Sequence, residues 1–427
     1  MQIDSPQLLP HQPHPIFHHF YIALLRKLNE YDILNKRIEG GDILRKFLII
    51  LAVLLYQICM SSGIVTDKKQ ETNVGNPSEN SYTAHQAKSR VPWDMIIQDG
   101  KLYIGGGDYG QNTGPVDVYS MDLETKQWTI SGTLNDEAIG KFVRIGDQVY
   151  APGFDAKGAQ NTGNYYLLEE SQWTAFNNIP GAAHNFDITE HDGSRMFAIG
   201  TWGCNVSPVQ ATKDDGQTYW GVPFYKDGVN IVEEAGFDFM RVYDFFTTEN
   251  GLYCLFVSVI EGKTQPYEFY RYDNGSFHFV ATNTDTNIPI KTFKQVPIGA
   301  KVTYEDSSYI AAYYLSRTTD FLTAEVITLP KNEIVTDLLV DEDQLYVLCA
   351  EPKGETCDVR VYAYVYNSFF YPLLSFESQN LPISFEKNGT DFYIGLGIQG
   401  YDSHISGTIT NVTIPALTLK LIKDCNE

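Results

Sequence analysis

The sequence predicts an all-β fold of repeated hairpins, and three observations carry the prediction. Aromatic residues recur at Tyr103, Tyr150, Phe197, Tyr253, Tyr309, Tyr346 and Tyr393, in steps of 47, 47, 56, 56, 37 and 47 residues. Most of them close a short turn of Gly, Asp, Asn or Ser, as in Asp99-Gly100-Lys101-Leu102-Tyr103 and Gly146-Asp147-Gln148-Val149-Tyr150. Aromatic residues make up 13% of the chain, which favours sheet. A hairpin repeat with a period of about 48 residues is the signature of a single β-propeller with four-stranded antiparallel blades. The anchors count seven blades, with six the alternative if Tyr309 belongs to an insertion.

The elements follow in order. Residues 1–63 read as an N-terminal extension and a signal peptide. Arg45 and Lys46 precede the apolar run Phe47 to Tyr56, and Ser61, Ser62 and Gly63 follow it. That basic, apolar, small order is the pattern of secretion, and the run is shorter than the roughly 20 residues a membrane span needs. Residues 1–42 are His- and Pro-rich without a periodic pattern, so the true start is expected near Ile43 or Leu44. The rival reading is a signal anchor, and Cys59 is a candidate lipidation site. Residues 64–89 carry few apolar side chains and read as a disordered linker. From Arg90 to the C-terminus, residues 90–427, the propeller pattern runs unbroken, with helix nearly absent.

In the first repeat, Trp93 to Ile97 is an inner strand, apolar because both faces are covered. Gln98-Asp99-Gly100 is a tight turn, Lys101 to Gly105 a second strand, and Val116 to Ser120 an alternating third. Trp128-Thr129-Ile130 is the outer strand. Outer aromatics recur at Trp173, Tyr219, Phe277 and Phe370.

A net charge of −22 repels phosphate backbones and anionic lipid, which excludes nucleic-acid binding. A secreted or cell-surface monomer without a remaining membrane span is expected. Cys349 and Cys357 flank Glu351-Pro352-Lys353-Gly354, so they form either a disulfide across one hairpin or two buried thiols. No cysteine or histidine spacing fits zinc.

Thr212-Lys213-Asp214-Asp215-Gly216-Gln217-Thr218-Tyr219 matches S/T-x-D-x-G-x-T-W/F/Y at every defined position. Asp214 is placed to accept backbone N–H groups across the turn, Gly216 to supply a positive φ, and Tyr219 to plug the sheet. Ser120-Met121-Asp122, with Thr125 and Trp128, is a degenerate copy. The motif resembles the Asp-box of the sialidase-like propellers, where it is structural and lies between the third and fourth strands. Arg90-Val91-Pro92, ten residues before Gly100, is similar to the Arg-Ile-Pro element of sialidases. The resemblance implies that Arg90 joins an arginine cluster on a substrate carboxylate, with Arg241 a second member by position. The stretch Gly163 to Trp173, with Ile179-Pro180 and His184-Asn185-Phe186-Asp187, resembles uncharacterised secreted bacterial propellers of kelch-like or sialidase-like description.

Candidate site residues come from the strand starts. Asp94, Asp244 and Asp337 lie nine residues before their anchors, and Asp187 ten. Asp108 and Asp155 each lie five past theirs. These carboxylates, with His184, Arg241, Trp93 and Trp202, are expected at the mouth of the central channel. There they would bind a sugar through hydrogen bonds and ring stacking, hold Ca²⁺, or cap loop N–H groups and tie blade to blade. The resulting expectation is a secreted binding module for a glycan or another polar extracellular ligand. An exo-glycosidase of the sialidase-like kind and a structural or protein-interaction propeller are the alternatives.

Overall fold

Asp99 and Gly100 both take positive φ, 49° and 73°, and Gln98 pairs with Lys101 across them. This mirror-image turn matches the twist of the strands it joins, and similar turns recur at Asp192-Gly193, Asp227-Gly228 and Asn274-Gly275. The computed structural model describes residues 71–79, 90–108, 114–157, 162–201, 205–234, 236–283, 291–293, 296–302, 308–315, 321–328, 333–365, 369–397 and 406–426. The leader 1–63 with Cys59, and Trp202 with Cys204, lie outside the described residues.

Seven antiparallel runs are seen among the described residues. Run one comprises Asp94–Gln98, Lys101–Gly105, Val116–Asp122 and Trp128–Leu134; run two comprises Val143–Ile145, Gln148–Pro152, Thr162–Glu169 and Gln172–Pro180. Runs three (182–221) and four (239–283) belong to one thirteen-stranded sheet, in which the bridge Gly200↔Arg241 joins them. Runs five (291–328) and six (334–378) are four-stranded sheets, and run seven (381–413) takes its fourth strand from elsewhere.

The apolar side chains meet between neighbouring runs. Tyr103 and Val118 of run one pack with Val149 and Tyr166 of run two, and Tyr150 and Tyr165 pack with Ile188 and Phe197 of run three. Met196 and Val209 meet Val242 and Phe256 of run four, and Met95 and Leu102 meet Tyr393 and Ile409 of run seven. Sheets packed face to face around a ring in this way make a β-propeller.

Tyr103, Tyr150, Phe197, Tyr253, Tyr346 and Tyr393 are buried on the second strand of their runs. Tyr309 is not: it lies on the third strand of run five, Ser308–Leu315. The equivalent second-strand position is Ile298, buried and paired with Lys291. Counting from Ile298 turns the irregular steps of 56 and 37 around Tyr309 into 45 and 48. The anchor there is aliphatic, so a search for aromatic residues passes over it.

The expected linker contains structure. Glu71–Gly75 is a strand paired antiparallel with Thr408–Thr413, and it is the fourth strand of run seven. Val74 supplies the reason, packing beside Met95, Leu102 and Tyr393, while Trp128 Nε1 donates to the Val74 carbonyl at 2.7 Å. The compact unit holding the sheets runs from Gln70 to Ile414. The helix Ala416–Asn426 falls outside it.

Of the two readings of Cys349 and Cys357, the structure shows buried thiols and no disulfide. Cys349 lies opposite Arg360 and Cys357 opposite Pro352, so the hairpin register sets the two sulfurs on different rungs. Both are free and buried, and burial pushes the Cys357 thiol up to about 11.

Candidate functional site

One register position defines the inner end of each run. It lies two residues before the partner of the anchor at Asp94, Asp244 and Asp337, and one residue before it at Asp187. Their carboxylates reach sideways. Asp94 Oδ2 accepts from the Phe142 N–H of run two at 2.6 Å. Asp187 Oδ2 accepts from the Phe245 N–H of run four at 2.7 Å, and Asp337 Oδ2 from the Phe385 N–H of run seven at 3.1 Å. Asp187 and Asp337 also hold the N–H of the next residue in their own strand, at 2.9 and 2.8 Å. These carboxylates therefore tie run one to two, three to four and six to seven, which is the capping role weighed from the sequence.

The same position in run two is Lys141, nine residues before Tyr150, and in run seven it is Ser384, nine before Tyr393. The search for Asp alone missed both. Lys141 Nζ lies 3.0 Å from Asp187 Oδ2 and in closer contact with Asp244 Oδ1. Lys141, and not Arg241, thus supplies the positive charge between these acids. Burial works against the ammonium, but Asp187 and Asp244 outweigh it and hold its pKa above the usual lysine range. Burial raises Asp187 even so, because Lys141 offsets it only in part. Across the axis, burial raises Asp94 and pushes Asp337 up to about 7, with Lys291 opposing. Glu386 is a further acid of this group. Burial, with Asp94 and Asp337 adding repulsion, lifts it to about 7. Among the described residues no three His, Cys, Asp or Glu side chains converge as metal ligands.

A second repeated element lies deeper, on the third strands. Tyr119, Tyr166, Tyr270 and Tyr362 each sit opposite the residue after the anchor, and each is preceded at two residues by a polar side chain: Asp117, Asn164, Glu268 and Arg360. Tyr166 donates to buried Asp136 at 2.5 Å, with Asn164 at 2.8 Å. Tyr362 donates to buried Glu333 at 2.6 Å, and Arg360 pairs with the same carboxylate. Tyr270 donates to Glu268 at 2.8 Å. In run one, Arg90 lines a cleft of about 20 Å³ with Asp117 and Tyr119. Arg90 stands four residues before Asp94, as Glu333 stands four before Asp337. Its position is that of a structural partner for this element.

The remaining candidates gather at the rim. Beyond the bulges at Asn185/Asp187 and Val242/Asp244 the inner strands run on past the axis. They form a continuous strip with Asp136–Ala138 and Phe154–Ala156, through the pairs Ala138↔Phe154, His184↔Phe154 and Gly200↔Arg241. On the strand Phe239–Thr248, Met240 and Val242 turn into the core while Phe239, Arg241 and Tyr243 are half-buried on the other face.

A row of rings crosses that face. Phe154 and His184 stand 4.6 Å apart, Phe154 and Phe186 5.1 Å, Phe186 and Tyr243 4.7 Å, and Tyr243 and Tyr267 6.0 Å. Gly200 lies beneath the row. A Cβ there would come 3.0 Å from His184, 3.1 Å from Phe186 and 3.4 Å from Arg241. Asp155, at φ +59°, brings Oδ1 to 2.8 Å from His184 Nδ1. Buried Asp108 donates its N–H to the Glu137 carbonyl, and burial lifts Asp136 and Glu137 to about 7. Trp93 is engaged, its indole N–H on the Gly107 carbonyl at 2.7 Å. Of the residues singled out from the sequence, Asp155, His184 and Arg241 stand at this row, whereas Phe154, Phe186, Tyr243 and Tyr267 were missed.

The turn Thr212 to Tyr219 joins Val209–Thr212 to Trp220–Gly221, the third and fourth strands of run three. Asp214 accepts from the Thr218 N–H at 2.8 Å and the Thr218 hydroxyl at 2.6 Å, which lowers its pKa to about 2. Gly216, at φ +83°, donates to Thr212 Oγ1, and the Tyr219 hydroxyl bonds Asn178. In the degenerate copy, Asp122 holds Thr125 in the same manner.

The sheets and this rim define a β-propeller protein. No family model and no curated protein matches the sequence. Similar solved structures include selenomethionine-substituted virginiamycin B lyase from Staphylococcus aureus, at TM-score 0.48 and 12% identity over 82% of this chain and 99% of that one. A catalytically inactive form of that enzyme with quinupristin gives 0.45 and 12% over the same shares. A chain of a mitotic checkpoint complex gives 0.47 and 7%, over 82% and 95%. At these values the likeness assigns neither activity nor ligand.

Proposed function

We propose that the chain is a secreted binding module, a seven-bladed propeller of the Asp-box kind that engages a glycan or another polar extracellular ligand on its mouth face. The observation that carries this reading is the half-buried row Phe154–His184–Phe186–Tyr243–Tyr267, with Asp155 at one end and Arg241 beside it. Ring faces take the C–H face of a sugar, and carboxylate, imidazole and phenol groups take its hydroxyls. The ligand sits on the rim of runs two to four, because the axial carboxylates are engaged in tying the runs together. A glycan array with the purified chain, repeated with Phe186→Ala, tests it. Binding to defined saccharides that Phe186→Ala abolishes supports the reading. Binding unchanged by Phe186→Ala, or no saccharide bound by a folded chain, overturns it and leaves a protein-interaction role.

A further inference from the structure

Three buried side chains beneath the rim each keep an oxygen that no donor among the described residues meets. Asp136 is fully buried, and Asn164 and Asn185 are 2% and 1% exposed. Asn164 Nδ2 donates to the Asn135 carbonyl at 3.1 Å and to Asp136 Oδ2 at 2.8 Å. Asn185 Nδ2 donates to the Asn164 carbonyl at 3.1 Å. Backbone carbonyls only accept, so these contacts fix which way both amides face. Each amide oxygen therefore turns away from them, and both are buried without a donor. Asp136 Oδ2 takes the Tyr166 hydroxyl and the Asn164 amide, while Asp136 Oδ1 is likewise buried without a donor. The three residues pack about Gly153. Its N–H donates to the Asn164 carbonyl at 3.1 Å, and its carbonyl accepts from the Asn185 N–H at 3.0 Å. A Cβ there would come within 2.6 Å of both Asp136 carboxylate oxygens, so only glycine lets the chain pass.

A buried acceptor without a donor is destabilising, and native proteins keep few of them. Here three stand in one chain of contacts, and among the described residues no cation pairs with Asp136. One carboxylate and two carboxamides, with backbone carbonyls between them, are the donor set of a hard cation. Calcium takes such mixed oxygen ligands in flexible geometry, whereas magnesium demands a near-ideal octahedron. We propose that Asp136, Asn164 and Asn185 hold a calcium ion beneath the rim. The site is separate from the axial carboxylates, which hold the runs together, and it stands whatever the rim binds. Its place gives it a purpose. Asp136 follows run one, Gly153 and Asn164 belong to run two, and Asn185 to run three. Their chain neighbours Phe154, Asp155 and His184 begin the aromatic row. The ion joins three runs at the point where that row starts.

Melting curves of the chelator-treated full chain, in EGTA and with calcium chloride added back, test the proposal. Calcium should raise the melting temperature by roughly 4 °C at a hundredfold excess over its dissociation constant, as binding to the folded state alone requires. Asp136→Asn should remove that shift. Asn185→Asp adds a carboxylate to the site, so it should melt below the wild type in EGTA and gain more than the wild type from calcium. If Asp136→Asn does not fold, Asn185→Asp carries the test. Asp94→Asn, at the axis, should leave the calcium shift in place. A folded wild-type chain that melts alike in calcium and EGTA overturns the proposal and gives the three oxygens to buried water. An Asn185→Asp variant with no larger calcium shift overturns it too. So does a shift that Asp94→Asn removes and Asp136→Asn keeps, which places the ion at the axis. None of these results touches the glycan reading, which the array decides.

Discussion

Lys141→Met removes the ammonium between Asp187 and Asp244 while keeping an unbranched side chain of similar length. Both carboxylates are 4% exposed and the lysine 23%, with Nζ 3.0 Å from Asp187. Stripping one partner from a buried ion pair costs about 3–5 kcal/mol, since the surviving charge stays desolvated. The partial exposure of Lys141 puts the loss at the lower end, about 3 kcal/mol. Urea unfolding followed by intrinsic fluorescence at pH 7.5 measures it as a shift in midpoint at constant slope. The pH dependence gives an internal check. Without Lys141, burial and the neighbouring Asp244 raise the folded Asp187 pKa further above its unfolded value near 4. A group raised in this way contributes stability that is full below its unfolded pKa and lost as pH rises through the folded one. The gap between variant and wild type should therefore narrow at pH 5. Asp244→Asn added to Lys141→Met should recover part of the loss at pH 7.5. A loss under about 1 kcal/mol, the range of a surface pair, would refute the clasp, as would a gap that stays constant with pH.

Two further outcomes follow. Asp337 and Glu386 sit near 7 in the fold, against about 4 unfolded, so the folded state holds their protons and the melting temperature should fall from pH 5 to pH 8. Asp337→Asn should flatten that slope, and a flat wild-type profile would contradict the burial argument. Trp128→Phe removes the hydrogen bond to Val74 and should lower stability by about 1 kcal/mol, with faster amide exchange confined to 71–75 and their partners in 408–413. Uniformly faster exchange across the sheets would show that Trp128 does not act through that strand.

The repeat was legible because its anchors are large, aromatic and followed or preceded by turn residues, so periodicity alone exposed it. Ile298 was not, since an aliphatic anchor looks like any core residue. The axial position was half legible. A fixed offset from the anchors found four aspartates, and the same offset applied without regard to residue type would have found Lys141 and Ser384. The Asp117-x-Tyr119, Asn164-x-Tyr166, Glu268-x-Tyr270 and Arg360-x-Tyr362 pattern was in plain view, but its polar member changes chemistry each time. The rim was the least readable part. Phe154, Phe186, Tyr243 and Tyr267 come from separate strands, and the bulges that turn them to one face leave no mark in composition. The strand Glu71–Gly75 was hidden for the opposite reason: a short stretch with Val74 as its one apolar side chain gains its order from a partner far along the chain.

That partnership has a temporal side. Glu71 cannot meet Val412 until nearly the whole chain exists. The sheets of runs one to six can assemble from neighbours in sequence, each hairpin closing a short loop, whereas run seven is completed by the strand pairing most distant in sequence among the described residues. Until then Thr408–Thr413 presents an unpaired strand edge, the kind of surface on which chains associate with one another. The five residues that complete run seven are also those that cover the edge Thr408–Thr413 would otherwise leave open.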